Sequence, residues 1–265
     1  MKKAAMYLLL AVGISITVLL VGGALLGFVA GFIDGYYENH PGTTQAESVM
    51  FPVGLFSLAL LCVVMHWVFL HYGFASYSEG RIPKASRWKV YVPLLLTMGG
   101  LALVYVTVYN PLAASAPAKA DDLIRENYLW MKDNPLQALL FLMLGEATAD
   151  LVIFGAVMRE LLEWKHRPQV IVPVIAAVLA VFAGVSNSLE VALVTMVVGL
   201  VEGWTYECTR SVIPVVVGDA FFWAVTLCLI GPAALPSWCF LVAFIIILAA
   251  GFWLIKSMDS FKPID

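Results

Sequence analysis

Pro135–Met158 reads PLQALLFLMLGEATADLVIFGAVM, twenty-four residues with no Lys or Arg and two carboxylates, Glu146 and Asp150. An apolar run of about 17 to 25 residues is the length a helix needs to cross a bilayer. An ionised carboxylate in hydrocarbon costs several kcal/mol, so acids in such a run gather round a water-filled cavity, hold protons, or bind a cation or substrate. This segment therefore predicts both the fold class, an all-α bundle of membrane helices, and the place to look for function.

Working outward, seven further runs of the same kind appear: Ala4–Ile33, Phe51–Phe74, Val90–Tyr109, Val170–Val185, Leu189–Tyr206, Val212–Gly231 and Leu235–Ile255. The composition agrees, with 62% hydrophobic and 12% charged residues and a mean hydropathy of +0.92, values of an integral membrane protein. The net charge of −3 and the absence of a basic patch give no sign of nucleic-acid binding. No repeat, low-complexity tract or second soluble domain is visible, so residues 1–265 read as one membrane domain.

Loop charge gives an independent check on the count of eight. Lys2, Lys3, Arg81, Lys84, Arg87 and Lys89 fall on one side together with Arg159, Lys165, Arg167, Arg210, Lys256 and Lys262, twelve of the fifteen basic residues. Only Lys119, Arg125 and Lys132 fall on the other. Basic residues are retained on the cytoplasmic side, which predicts cytoplasmic termini and, for a bacterial protein, the inner membrane. The apolar run after Met1-Lys2-Lys3 is about twice a signal peptide's h-region and has no Ala-x-Ala site, so it reads as an uncleaved first helix.

Smaller features are read structurally. Gly23, Gly27, Gly31 and Gly35 recur every four residues and leave a smooth face for a neighbouring helix. Asn110–Asn134 reads as the one long loop, on the outer side, with an interfacial helix from Asp121 anchored by Tyr128 and Trp130. Cys62, Cys208, Cys228 and Cys239 lack metal-ligand spacing and read as buried thiols, with Cys228 and Cys239 close enough along the last two helices to meet. His66 and His71 are five apart, poor geometry for sharing a metal. No cofactor is indicated and no metal site is assigned.

The acids can be placed by depth, because a helix rises about 1.5 Å per residue and basic residues mark the inner ends. Asp150 lies nine residues before Arg159, Asp219 nine after Arg210 and Glu202 eight before Arg210, all roughly 12 to 13 Å in. Three carboxylates on three helices thus share one level, with Glu146 one turn from Asp150 on the same face. The stripe suits proton transfer or a bound cation, while hydrogen bonding between neutral acids across helices is the bland alternative. Glu190 falls near the outer boundary.

Three stretches carry a family resemblance: Asp150-Leu-Val-Ile-Phe-Gly-Ala-Val157, Val181-Phe-Ala-Gly-Val-Ser186, and Gly199-Leu-Val-Glu-Gly-Trp-Thr-Tyr-Glu-Cys-Thr-Arg-Ser-Val-Ile-Pro214 continuing through Gly218-Asp219 to Trp223. Over about residues 140–229 the chain resembles the CPBP family, which comprises the type II CAAX-prenyl endopeptidases and bacteriocin-processing or immunity membrane proteins. The resemblance implies an eight-helix bundle and an intramembrane peptidase that activates water through a Glu-Glu-x-x-x-Arg motif, a Phe-x-x-x-His motif and a later His followed by Asn or Asp. It sets Ala149 and Asp150 at the two glutamates, Phe154 at the arginine, Ser186 at the first histidine, Asp219 at the second and Trp223 at the Asn/Asp. Only Asp150 keeps the chemistry. Without a first carboxylate and both histidines, the groups best suited to activate water are gone, and the resemblance implies a catalytically impaired relative with a cavity lined by Glu202, Ser186, Phe154 and Trp223. Its expected partners are the lipid bilayer and a hydrophobic or lipidated peptide or another membrane protein. The competing expectations are an active variant peptidase using Glu146, Asp150 and Asp219, and a proton- or cation-coupled transporter with Asp150, Glu202 and Asp219 along its path.

Overall fold

A computed structural model of the chain describes residues 2–17, 24, 47–77, 87–115, 130–165, 167–186, 188–230 and 235–259. The regular structure among them is helical. Residues 2–17 form α1, followed by α2 (Glu47–His71), α3 (Arg87–Ser115) and α4 (Pro135–Val152). A π-helical turn, Ile153–Met158, joins α4 without a break to α5 (Arg159–Lys165). Then come α6 (Pro168–Ser186), α7 (Leu189–Thr209), α8 (Ile213–Leu229) and α9 (Ser237–Asp259).

Four segments are long and apolar enough to cross a membrane: Trp88–Asn110, Pro135–Trp164, Leu189–Thr209 and Trp238–Ser257. Their outer surfaces suit lipid. On α9, Trp238, Leu241, Phe244, Ile245, Leu248 and Phe252 are all exposed, an apolar face that water would not tolerate at this size. The apolar helices Phe56–His71, Pro168–Val181 and Ile213–Leu229 are shorter.

Helix ends show why the chain turns where it does. Ser188, in extended conformation, accepts a hydrogen bond from the Val191 amide at 3.3 Å and so caps α7; this is the N-cap role that serine favours. Pro168–Ser186 and Leu189–Thr209 are thus two separate helices, as the sequence implies. α7 ends where Arg210 takes the left-handed region at φ 48° and its amide donates to the Tyr206 carbonyl at 2.7 Å. Pro214 sits in the first turn of α8, where its missing N–H is no loss. One expectation is corrected: α3 does not stop at Tyr109 but runs through Pro111 to Ser115. Proline's fixed φ is itself helical, so only one backbone hydrogen bond is lost.

α6 and α7 form a tight antiparallel pair. A Cβ on Gly199 would stand 3.2 Å from the Ala176 Cα, and one on Gly203 would stand 2.9 Å from Val172 Cγ1. The four-residue glycine spacing thus lets the two backbones approach closely.

Several basic residues lie in or beside contacts that tie one end of the bundle together. Lys3 pairs with Glu160 at 3.7 Å, and the Tyr7 ring lies 5.1 Å from Phe74. The Tyr77 carbonyl accepts from the Val212 amide at 2.9 Å and from Ser211 Oγ at 3.0 Å, and Trp88 meets Trp253. At the opposite end the Asn110 amide donates to the Leu229 carbonyl at 3.4 Å.

The glycine series on the first helix and the interfacial helix from Asp121 lie outside the described residues, apart from the helical turn that begins at Trp130. Met131 in that turn is buried rather than surface-lying, and Trp130 packs edge-on against Phe141. None of the four cysteines is in a disulfide, and the expectation that all are buried is corrected: Cys228 is exposed and Cys239 half-buried, because their helix faces turn outward from the bundle.

Candidate functional site

The helices surround a cavity of about 260 Å³, set where the two apolar clusters of the bundle meet. Helical periodicity explains its walls. α4 presents Glu146, Ala149 and Asp150, and the π turn adds Ile153 and Phe154, spaced by three and four residues along one face. α7 presents Val191, Thr195, Val198 and Glu202, again at intervals of three and four. α8 presents Asp219, Phe222 and Trp223, α3 contributes Tyr105 and α6 contributes Leu179.

Three carboxyl groups converge in this space. One oxygen each from Asp150, Glu202 and Asp219 lies within 4.8 Å of the others. The side chains are 3%, 5% and 5% exposed. Asp219 is central, its carboxyl in hydrogen-bonding contact with both Asp150 and Glu202. Such contact between carboxyls needs a shared proton, and neighbouring acids this close titrate as a set rather than singly. Asp150 Oδ2 is buried without a hydrogen-bond donor. The ion pairs among the described residues, Lys3–Glu160, Arg159–Glu163 and Arg210–Glu207, all lie elsewhere.

Glu146 stands beside this trio and is held differently. Its Oε1 accepts a hydrogen bond from Trp223 Nε1 at 3.2 Å, which ties α4 to α8. Trp223 also meets the edge of Tyr105, with ring centres 5.7 Å apart. Phe154, at the position where the resemblance has arginine, is fully buried against Tyr206 and makes an apolar wall.

Of the residues singled out from the sequence, Glu146, Asp150, Phe154, Glu202, Asp219 and Trp223 all border the one cavity. Ser186 is the last residue of α6, and its side chain is not among those described. Glu190 is exposed in the first turn of α7, apart from the trio. His66 directs Nδ1 at the Cys62 carbonyl, 2.7 Å away, and His71 stacks on Trp67, so neither enters the site. Tyr105 and Thr195 were not foreseen. Tyr105 lies four residues from Tyr109, and the two polar-tipped rings stack at 5.3 Å on one face of an apolar helix, a spacing that marks an inward-facing stripe.

The cavity's described lining contains acids, a tyrosine, a threonine, a tryptophan, two phenylalanines and aliphatic groups, with no histidine, arginine or lysine. That set can hold protons, water or a cation; it lacks the neutral base and the positive charge that usually activate water and stabilise an oxyanion at neutral pH. No family model, curated protein or solved structure matches this chain.

Proposed function

We propose that the chain is an eight-span membrane protein related to the CPBP type, with an intramembrane cavity that binds a ligand instead of hydrolysing a peptide. The observation that carries this reading is the cavity's composition: five of the six positions that the resemblance assigns to peptidase chemistry, Ala149, Asp150, Phe154, Asp219 and Trp223, border one space, yet three of those five bear no acid or base; the sixth, Ser186, has a side chain outside those described. Purified protein is expected to give no turnover of a prenylated or hydrophobic test peptide beyond that of an Asp150→Asn/Asp219→Asn double variant. Turnover lost in that variant would establish a carboxylate-based peptidase and end the binding reading.

The contacts Lys3–Glu160, Ser211–Tyr77 beside Arg210, and Trp88–Trp253 at one end of the bundle support an orientation with both chain termini in the cytoplasm. A cytoplasm-active reporter fused after Asp265 is expected to be active and a periplasm-active one silent. The reverse pattern overturns the topology.

A further inference from the structure

We propose that the recess between α9 and the α6–α7 pair holds one acyl chain of an anionic membrane phospholipid, with the headgroup at Arg167 and Lys256. The recess has a volume of about 460 Å³ and stands apart from the acid cavity. α7 separates the two: Val198 and Glu202 face the acids, while Val197, Leu200, Val201 and Trp204 face the recess. α9 packs along α3 but barely touches α7, and the gap that results is floored by Thr97 of α3 and walled by Val172 and Pro173 of α6. Gly251 keeps it open, since a Cβ at that position would meet nothing within 4 Å. The site is independent of what the acid cavity binds.

Chemistry and position select the occupant. Three of the segments long enough to cross a membrane supply walls, on α3, α7 and α9, and exposed apolar residues flank the mouth, Val174 on α6 and Leu248 and Phe252 on α9. Thr97 Oγ1 already donates to the Pro93 carbonyl at 2.8 Å, and the walls are otherwise aliphatic apart from Gln169 and Trp204, so a polar ligand would find few partners. An alkyl chain needs none. Inside a bilayer it gains no hydrophobic energy by entering the recess; packing contacts and headgroup charge hold it there. Val197 and Trp204 are seven residues apart, so the recess runs roughly 10 Å along α7, within one leaflet of a hydrocarbon core about 30 Å thick. Its end is marked by charge: Gln169 lies two residues after Arg167 and Ile255 directly precedes Lys256, and both basic residues are exposed. Trp88 and Trp253 meet on the same two helices, α3 and α9, as rings do at headgroup level. Cations at the end of an apolar slot complement a phospholipid of net negative charge. A partner's helix, about 10 to 12 Å across, is too wide for a recess of this volume and length.

The test places the full chain in vesicles of phosphatidylglycerol and phosphatidylcholine, with a trace of one or the other carrying a photoreactive diazirine on an acyl chain, then illuminates and maps the labelled peptides. Label is expected to concentrate on residues 197–204 of α7 and 251–255 of α9. Phosphatidylglycerol should label these segments roughly tenfold or more above phosphatidylcholine, and Arg167→Gln and Lys256→Gln should each lower that preference by about fivefold. Gly251→Leu and Gly251→Trp fill the gap and should remove the label from both segments, while Leu241, exposed elsewhere on α9, keeps its wild-type labelling and so reports an intact bundle in the bilayer. Label spread evenly over the exposed helix faces, equal labelling by the two lipids, or recess labelling that survives both Gly251 variants overturns the proposal. The wild-type map and the two charge variants decide it even where a Gly251 variant fails to fold. Peptide turnover bears only on the acid cavity, so the two readings fail separately.

Discussion

Gly199→Val is expected to destabilise the bundle by about 1 to 3 kcal/mol, the usual cost of overpacking a filled interior. A Cβ there meets the Ala176 Cα at 3.2 Å and Leu179 Cδ1 at 3.2 Å. The first neighbour is backbone, so no side-chain rotation relieves the clash, and α6 must move away from α7. Gly203→Ala should also destabilise, through Val172 Cγ1 at 2.9 Å, but Val172→Ala in the same chain should recover part of the loss because the two sites share the contact. Gly145→Ala is the control. Nothing lies within 4 Å of a Cβ at that position, and alanine favours a helix over glycine by up to about 1 kcal/mol. Thermal unfolding in detergent separates these cases: a Gly199→Val protein as stable as wild type contradicts the close α6–α7 seam, and a Gly145→Ala protein much weaker than wild type contradicts the open space beside Gly145 on α4.

The α6–α7 seam comes from the structure: in the sequence, four-residue glycine spacing was read at Gly23, Gly27, Gly31 and Gly35 and not at Gly199 and Gly203. The meeting of Asp150, Glu202 and Asp219 was legible, because helical rise converts a count of residues from Arg159 and Arg210 into depth, and three equal depths leave only rotation undetermined. Rotation is what the sequence conveys poorly in a membrane bundle, where helices are apolar all round and no polar face marks the outside. Trp223 and Glu146 were both flagged, but nothing in their spacing paired the indole N–H with the carboxylate across α4 and α8. Tyr105 was passed over for the same reason, since α3 carries no acid to orient it. The π turn after Asp150 has no reliable residue signature, and it extends the cavity-lining face to Ile153 and Phe154 beside the acids. Extra residues inserted into a helical turn in this way often accompany functional sites.

Asp219→Asn is expected to make the protein more stable, with Asp150→Asn and Glu202→Gln moving in the same direction. Two unit charges about 4 Å apart interact by about 4 kcal/mol at an effective dielectric of 20, and shared protons relieve only part of this. Asn and Gln keep the shape of the acid while removing its charge, so a gain of about 1 kcal/mol or more remains within reach. Glu146 gives the opposite sign. Its carboxylate accepts the Trp223 N–H, and Glu146→Leu leaves a half-buried donor unmet, a loss of about 1 to 3 kcal/mol. Thermal unfolding in detergent decides the matter. If all three trio variants are weaker than wild type while Glu146→Leu is unchanged, the trio holds the fold together and Glu146 is idle, the reverse of the arrangement drawn here. If the signs come out as expected, the wild-type chain carries three buried acids that work against its own stability, and such a cost is characteristic of residues placed for binding or chemistry rather than for packing.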